Sequence, residues 1–449
     1  MSDNNLLIQN LYNNFSPAQL KIITDGSPVK QVIAAAGSGK TRTVTGLISH
    51  RLISGMETAD RILLLSFSRK AAAELKERIP EEFREILEIS TFHSFAFRWI
   101  TALHPVYSGR DIRIIQEKEK FSFYEKYFRN NSDIIGGIPF HLLMEDDALF
   151  IDLFPDLHKK ISAEFLQYKE KNNFLEYNDL IRILVTDLQN SESYMEKLRS
   201  KYSLIVVDEF QDTDPEQLTF LKLMSFQELV VVGDDWQAIY AFRGASVEPF
   251  LNFKKIFRNT KLFYLSENYR SHPEIVSLGN HVIRFSKKQM SKKVSSVRKI
   301  KSNNSVVACS MNSGHEYKIL EMIPEEMPFR ILTRSNRRRQ EWIRSGSPED
   351  SVMTIHKSKG LEFDCVILDI TGGWSGYNPS SEPGEKHSND EEIRIAYVGL
   401  TRAKNRLIVL YDPDAPPDRG QGALYGNLFS GKVKQADHEK IKKILRSEK

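Results

Sequence analysis

At 449 residues the chain is long enough for roughly three domains of about 150 residues, and it can bury substantial cores without metal or disulfide support. Hydrophobic residues at 41% and charged residues at 27% suit a globular protein, and only 23 Gly and 17 Pro exclude low-complexity and collagen-like chains. Two cysteines, Cys309 and Cys365, exclude a disulfide scaffold and a Cys-based zinc site, and they fit a reducing compartment. No apolar run approaches the about 18 residues a membrane helix needs. The start, MSDNNLLIQN, has neither the basic leader nor the apolar core of a signal peptide. The expectation is a soluble, multi-domain, cytoplasmic protein.

In chain order, VKQVIAAAG reads as a strand, TRTVTGLISHRLIS as a helix, RILLLSF as a strand and RKAAAELKERI as a helix. The apolar strands resume at YSLIVVDE, ELVVVGD and KLFYLSE, then at FRILTRS, SVMTIHK, DCVILDI and NRLIVLY. Strand, polar loop and helix in alternation predict parallel sheets covered by helices on both faces. Residues 99–200 break the rhythm with EKEKFSFYEKYF and AEFLQYKEKNNF, which predict a mostly helical insertion in the first sheet. No internal repeat is visible.

The formal net charge is only +4, but the basic residues are clustered. Lys432–Lys449 carries seven basic and three acidic residues, Arg284–Lys301 carries eight basic and no acidic ones, and Arg337-Arg338-Arg339 is a third cluster. Each reads either as a phosphate contact or as a solvated helix face.

The sharpest motif is Ala34-Ala-Ala-Gly37-Ser38-Gly39-Lys40-Thr41, directly after a strand and opening a helix. Glycines let backbone N–H groups converge on phosphate, the helix N-terminus adds its dipole, Lys40 reaches the β/γ-phosphates and Thr41 can hold Mg²⁺. The usual leading glycine is Ala34. Its partner is the apolar strand ending in Asp208-Glu209-Phe210-Gln211-Asp212, which places carboxylates at the sheet's carboxyl edge. Asp208 is expected to hold Mg²⁺ and Glu209 to orient or deprotonate the attacking water. Taken alone, that acidic strand end would read as a cap for the next helix. Arg270 in NYRS and Arg402 in GLTRAK are the arginine-finger candidates, and an arginine from a second domain would couple hydrolysis to cleft closure.

These segments, in this order, resemble the UvrD/Rep/PcrA group of superfamily 1 helicases over nearly the whole chain outside the helical insertion. The resemblance implies two tandem RecA-like P-loop α/β domains. Residues 1–98 and 201–262 would form the first, 99–200 the helical accessory insertion, 263–415 the second domain and 416–449 a basic C-terminal tail. It implies ATP, with Gln19 on the base edge, Tyr269 stacked on adenine and Ala36, Gly37, Ser38, Gly39, Lys40, Thr41, Arg42, Gly360 and Glu362 around the nucleotide. Gln237 would sense the γ-phosphate and Arg402 would sit on it. On the DNA side it implies Phe67, Lys70, His93, Tyr240, Phe242, Arg243 and His356, aromatics and cations that grip a single strand without sequence preference. Taken alone, any one of Phe67, Tyr240 and Phe242 would read as core packing, but Phe242, directly before Arg243 and five residues past Gln237, favours the strand-facing reading.

The family's large inserted subdomain falls between NYRS and HKSKGLE. Here Arg270 and His356 are 86 residues apart, and FRILTRSNRRRQEWI runs through Ser345-Gly-Ser-Pro348 directly into SVMTIHKSKG, so that insertion is expected to be absent. The implied activity is an ATP-dependent DNA helicase or single-strand translocase with 3′→5′ polarity, serving repair, replication or recombination. A protein partner would supply strand separation, and a duplex junction is a further DNA partner. The alternatives are a nucleic-acid-stimulated ATPase switch and a P-loop ATPase unrelated to nucleic acid. The helix Glu439–Arg446 stays open between duplex contact and a solvated face.

Overall fold

The computed structural model describes residues 3–129, 143–144, 147–224, 228–300, 304–312, 314–324, 327–379 and 389–446. The chain forms two compact units: Met1–Ser90 with Arg199–Leu218 and Met224–Lys449, and Thr91–Leu198 with Thr219–Leu223.

The larger unit holds two six-stranded sheets. The first contains β1 (Val29–Ala34), β2 (Ile62–Ser66), β3 (Glu88–Thr91), β4 (Leu204–Val207), β5 (Glu228–Gly233) and β6 (Thr260–Leu265), in the order β3-β2-β4-β5-β1-β6. The second contains β7 (Val306–Ser310), β8 (Phe329–Thr333), β9 (Val352–Thr354), β10 (Phe363–Asp369), β11 (Ala403–Tyr411) and β12 (Lys434–Gln435), in the order β9-β8-β10-β11-β7-β12. Strand for strand the two orders are the same, so the tandem repetition that the sequence does not display is present in the topology. Pairing is parallel, as the alternating strand–helix rhythm predicts. These are two RecA-like α/β domains.

Strands covered on both faces must satisfy every polar side chain they bury. In β1, fully buried along its length, Lys30 Nζ meets Glu228 Oε1 at 2.6 Å and Gln31 Nε2 donates to the Phe250 carbonyl at 2.7 Å. Leu64, Val206, Val232 and Ile48 lie in the first domain's core. In the second, one face packs Val366, Leu368 and Val398 and the other packs Ile331, Ile367 and Trp342.

Two expected boundaries move. β6 pairs with β1 from Val29↔Thr260 to Ala34↔Leu265, so the first sheet ends at Leu265 and a limit at 262 would cut its edge strand. Nor is 416–449 a tail. β12 is the sixth strand of the second sheet, and the helix His438–Arg446 buries Ile441 and Leu445 in that domain's core. Their i,i+4 spacing puts both on one face, and each such burial contributes about 1.5–3 kcal/mol. Lys440 and Lys443 stay exposed on the rest of the helix. Between β8 and β9 the chain passes through only the helix Asn336–Arg344 and the turn Glu349–Ser351.

The second unit is mostly helical, as expected. It includes Phe92–Leu103, Glu117–Arg129, Asp147–Leu153, Pro155–Lys171 and Tyr177–Asn190, and starts at Thr91 rather than 99. Phe128, Phe150 and Ile161 form part of its core, and buried Lys169 pairs with Asp179 at 2.7 Å and Glu176 at 2.8 Å. Among the described residues no helix is long and apolar enough to cross a membrane.

Candidate nucleotide site and aromatic cluster

The phosphate loop leaves β1 at Ala34, the last strand residue, buried and free of left-handed backbone, which is why alanine suffices where glycine is usual. The two later glycines have no such latitude. Gly37 and Gly39 sit at φ +68° and +81°, and a Cβ would lie 2.7 Å from Arg270 Cβ at the first and 2.7 Å from Gln19 Nε2 at the second. Lys40 then opens the helix Lys40–Ile53. The Ala36 carbonyl accepts from Asn268 Nδ2 at 2.7 Å and the Gly37 carbonyl from the Tyr269 N–H at 2.9 Å, so the segment leading into the second domain is fastened to the loop.

A cavity of about 610 Å³ is lined by Gly37, Ser38, Gly39, Lys40, Thr41, Arg42, Asp208, Glu209, Gln237, Tyr269, Arg270, Gly360, Glu362 and Arg402. Residues drawn from six separate motifs thus converge on one space. Ala36 supplies only its carbonyl contact. Gln19 lies behind the loop with both ends of its amide engaged: Oε1 accepts from the Ser16 N–H at 3.0 Å, and Nε2 donates to the Ser38 carbonyl at 3.2 Å. The capping box at Ser16 and the Ser38 carbonyl thus orient the Gln19 amide behind the loop, leaving a second lone pair on Oε1 and a second hydrogen on Nε2.

Lys40 Nζ lies 2.9 Å from Glu209 Oε1. Burial would lower the lysine's pKa, but Glu209, Asp234 and Asp208 outweigh it and the net shift is upward. Burial would raise Glu209, and the ammonium groups of Lys40 and Lys359 reverse that and hold it ionised. Asp208 shifts the other way, up, through burial and then through Glu209. A buried carboxylate short of positive charge, with Thr41 in the same cavity, fits a divalent cation, and the Ser38 hydroxyl, buried and without a hydrogen-bond partner, fits a phosphate oxygen. Glu209 itself adopts φ +54°, a left-handed conformation that costs a non-glycine residue about 1–3 kcal/mol and that clusters at functional sites.

Arg402 is 1% exposed and donates to Gln237 Oε1 at 2.9 Å and to the carbonyls of Val398 and Leu361 at 3.0 and 3.2 Å. Burial, and then Arg270, push its guanidinium down to about 9. Arg270 Nε is held by Glu362 at 2.6 Å, and Lys404 reaches the same carboxylate at 2.8 Å. Arg42 lies 5.4 Å from the Phe15 ring centroid, and the Tyr269 ring is partly exposed beside the loop.

A second cluster gathers the rings. Phe67 and Tyr240 stack at 5.0 Å and 20°, Phe242 meets His356 edge-on at 5.2 Å, and Arg243 lies 5.3 and 5.5 Å from the Tyr240 and Phe242 centroids. Phe242 is 65% exposed, a ring left to solvent. Phe67 and Tyr240 cover one face of each other's ring. Burial, then Arg334, depress the His356 imidazole to about 4, leaving it neutral at pH 7. Lys70 is exposed on the helix Arg69–Arg78. His93 belongs to the second unit, where its ring meets Tyr177 edge-on at 5.8 Å.

Sequence reasoning missed two residues. Lys359 Nζ pairs with Asp212, donates to the Gln237 carbonyl at 2.7 Å and lies 4.7 Å from the Tyr240 ring centroid. One ammonium therefore touches the nucleotide side and the aromatic cluster together. Gln211 donates to Glu209 Oε2 at 2.5 Å and accepts from the Asp234 N–H at 2.9 Å. Both stand inside quoted motifs, KSKG and EFQD, but nothing in their spacing shows which neighbours they reach.

The basic clusters divide. Arg338 is buried, with Asp369 at 2.7 Å and Glu316 at 2.6 Å. Lys292 is paired with Asp234 and Asp235 at 2.6 and 2.8 Å, and Arg298 donates to the Arg270 and Lys404 carbonyls at 2.8 and 3.1 Å. These three cations hold the fold together rather than meet a strand.

A model of the UvrD/REP helicase N-terminal domain matches residues 15–137 and 147–258, more than half of the chain, and one of the UvrD-like helicase C-terminal domain matches 340–413. The chain is 27% identical over 440 residues to a probable DNA helicase of Mycoplasma pneumoniae, covering 87% of this chain and 82% of that protein. It is 28% identical over 366 residues to a probable DNA helicase II homolog of Mycoplasma capricolum, covering 75% and 51%. It is 28% identical over 434 residues to the ATP-dependent DNA helicase PcrA of Staphylococcus aureus, covering 92% and 57%. The chain spans only about half the length of the last two. With two like-ordered RecA-like sheets and six motifs around one phosphate-loop cavity, the chain is an enzyme of the UvrD/REP helicase family.

Proposed function

We propose that this protein is an ATP-driven translocase on single-stranded DNA, moving 3′→5′ in the cytoplasm and serving DNA repair, replication or recombination. Lys40 and the loop N–H groups would hold the β/γ-phosphates, Tyr269 and Arg42 the nucleoside, and Thr41 and Asp208 a magnesium ion, which when bound supplies positive charge beside the transferring phosphoryl group. Phosphate binding would draw Lys40 off Glu209 and release that carboxylate to take a proton from the attacking water. Arg402 and Arg270, contributed by the second domain, would neutralise the charge that develops on the phosphoryl oxygens. The observation that carries the reading is Lys359. Its ammonium binds Asp212 and the Gln237 carbonyl beside the nucleotide cavity and faces the Tyr240 ring of the aromatic cluster, so one side chain joins the two by direct contact.

A second reading has its own observation. The short passage from Arg344 to β9 leaves no room for an inserted subdomain, which favours a motor that needs a protein partner at a duplex junction to separate strands, or an ATPase switch that signals occupancy. Steady-state ATP hydrolysis alone, with single-stranded DNA, matched RNA and blunt duplex, tests the proposal, with Lys40→Ala as blank. Stimulation by single-stranded DNA is the expected result. Turnover indifferent to every nucleic acid would overturn it, and hydrolysis on DNA without displacement of a blocker at a strand end would favour the switch.

A further inference from the structure

Two basic blocks that lie far apart in the sequence meet in one cavity of about 750 Å³. Arg284, Lys287 and Lys293 come from the first block and Lys432 from the C-terminal one, and no carboxylate lines the space. All four are exposed, and among the described residues none forms an ion pair. Like charges gathered in a concavity without an acid raise one another's energy, and an anion relieves it. The potential registers on His281 in the same wall, whose imidazole is lowered by burial, then by Arg284 and Lys432.

Two further features point to a ligand. Trp236 lines the cavity, is 2% exposed, and its indole N–H has no hydrogen-bond partner. Phe285 stands 43% exposed at the same block, edge-on to His281 at 5.4 Å, so an aromatic ring accompanies the cations. That combination suits a nucleic-acid strand better than a small inorganic anion. None of the four cations belongs to the motifs of the nucleotide cavity or of the Phe242 cluster.

We propose that this cavity is a second DNA site, which takes the phosphodiester backbone of a single strand on Arg284, Lys287, Lys293 and Lys432. It also touches the nucleotide side. Lys292, 4.5 Å from the Trp236 ring centroid, ties Asp234, Asp235 and the Ala34 carbonyl together, and Asp234 in turn holds Gln237.

The test is the salt dependence of binding of a labelled single-stranded oligonucleotide to the full chain without nucleotide. It compares wild type with the quadruple variant Arg284→Gln, Lys287→Gln, Lys293→Gln and Lys432→Gln, and with a control carrying Lys254→Gln, Lys255→Gln and Arg258→Gln. At about 0.7 per phosphate contact, the slope of log Kobs against log salt should fall by about 2–3 in the quadruple variant and stay within about 1 of wild type in the control. Equal slopes in wild type and quadruple variant, or equal losses in both variants, would overturn the proposal. So would pyrophosphate protection of Lys287 and Lys293 from acetylation without matching protection by the oligonucleotide, or a loss confined to blunt duplex. Because no ATP is present, failure of the translocase reading leaves this result interpretable.

Discussion

Arg402 of the second domain donates its Nη2 hydrogen to Gln237 Oε1 of the first at 2.9 Å, across 165 residues of sequence. The pair is buried and lines the nucleotide cavity, so the second domain's guanidinium and the first domain's amide meet at the cavity wall.

Arg402→Ala should therefore lower turnover by about 10³-fold or more while leaving ATP binding largely intact, as for other finger arginines. Arg402→Lys should rescue little, because Gln237, the Val398 carbonyl and the Leu361 carbonyl are each met by a different nitrogen of the planar guanidinium, a spread that the point-like ammonium does not have. Single-turnover hydrolysis beside nucleotide binding checks this, and preserved turnover would remove Arg402 from the role.

Phe242, the exposed ring of the aromatic cluster, should matter to the strand and little to basal hydrolysis. Phe242→Ala is expected to weaken single-strand binding by about 1–3 kcal/mol, the usual worth of one stacked base. Equal losses in basal and DNA-stimulated turnover would show a structural ring instead.

Arg338→Ala should destabilise the second domain by about 3–5 kcal/mol, since it strands the buried carboxylates of Asp369 and Glu316. Ile441→Ala in the C-terminal helix should cost about 2–4 kcal/mol, which no free tail would show. Chemical denaturation of each variant measures both.

The His356 imidazole is depressed to about 4 in the folded chain against an ordinary value of 6.5. Between those values the unfolded state binds more protons, so stability is complete above pH 6.5 and declines as pH falls toward 4. His356→Gln should remove about 1–2 kcal/mol of that acid sensitivity, allowing for solvent screening. A denaturation series from pH 7 to 4.5 gives the comparison, and identical slopes for both proteins would contradict it.

Local chemistry carried much of this protein into its sequence. Strand period, the glycines at 37 and 39 and the acid pair after β4 are short-range demands of backbone geometry and phosphate binding, so the loop and the carboxylates could be named from the residues alone; Arg42, Gln237, Tyr269, Gly360 and Glu362, which line the same cavity, were named only through the family resemblance. Other matters were decided only by packing. Lys292, Arg298 and Arg338 read as surface charge, yet partners from distant elements claim them, buried carboxylates for Lys292 and Arg338 and backbone carbonyls for Arg298. The segment after 416 reads as a basic tail because its apolar positions, Ile441 and Leu445, are few, and only the empty edge beside β7 and the core beneath it show where they go. That Ser16 and Ser38 hold the two ends of the Gln19 amide was likewise visible only in the fold. A side chain's type and spacing fix what it can bond, and the tertiary structure fixes which partner is within about 3 Å, because pairing energies fall away over a distance that sequence separation does not measure.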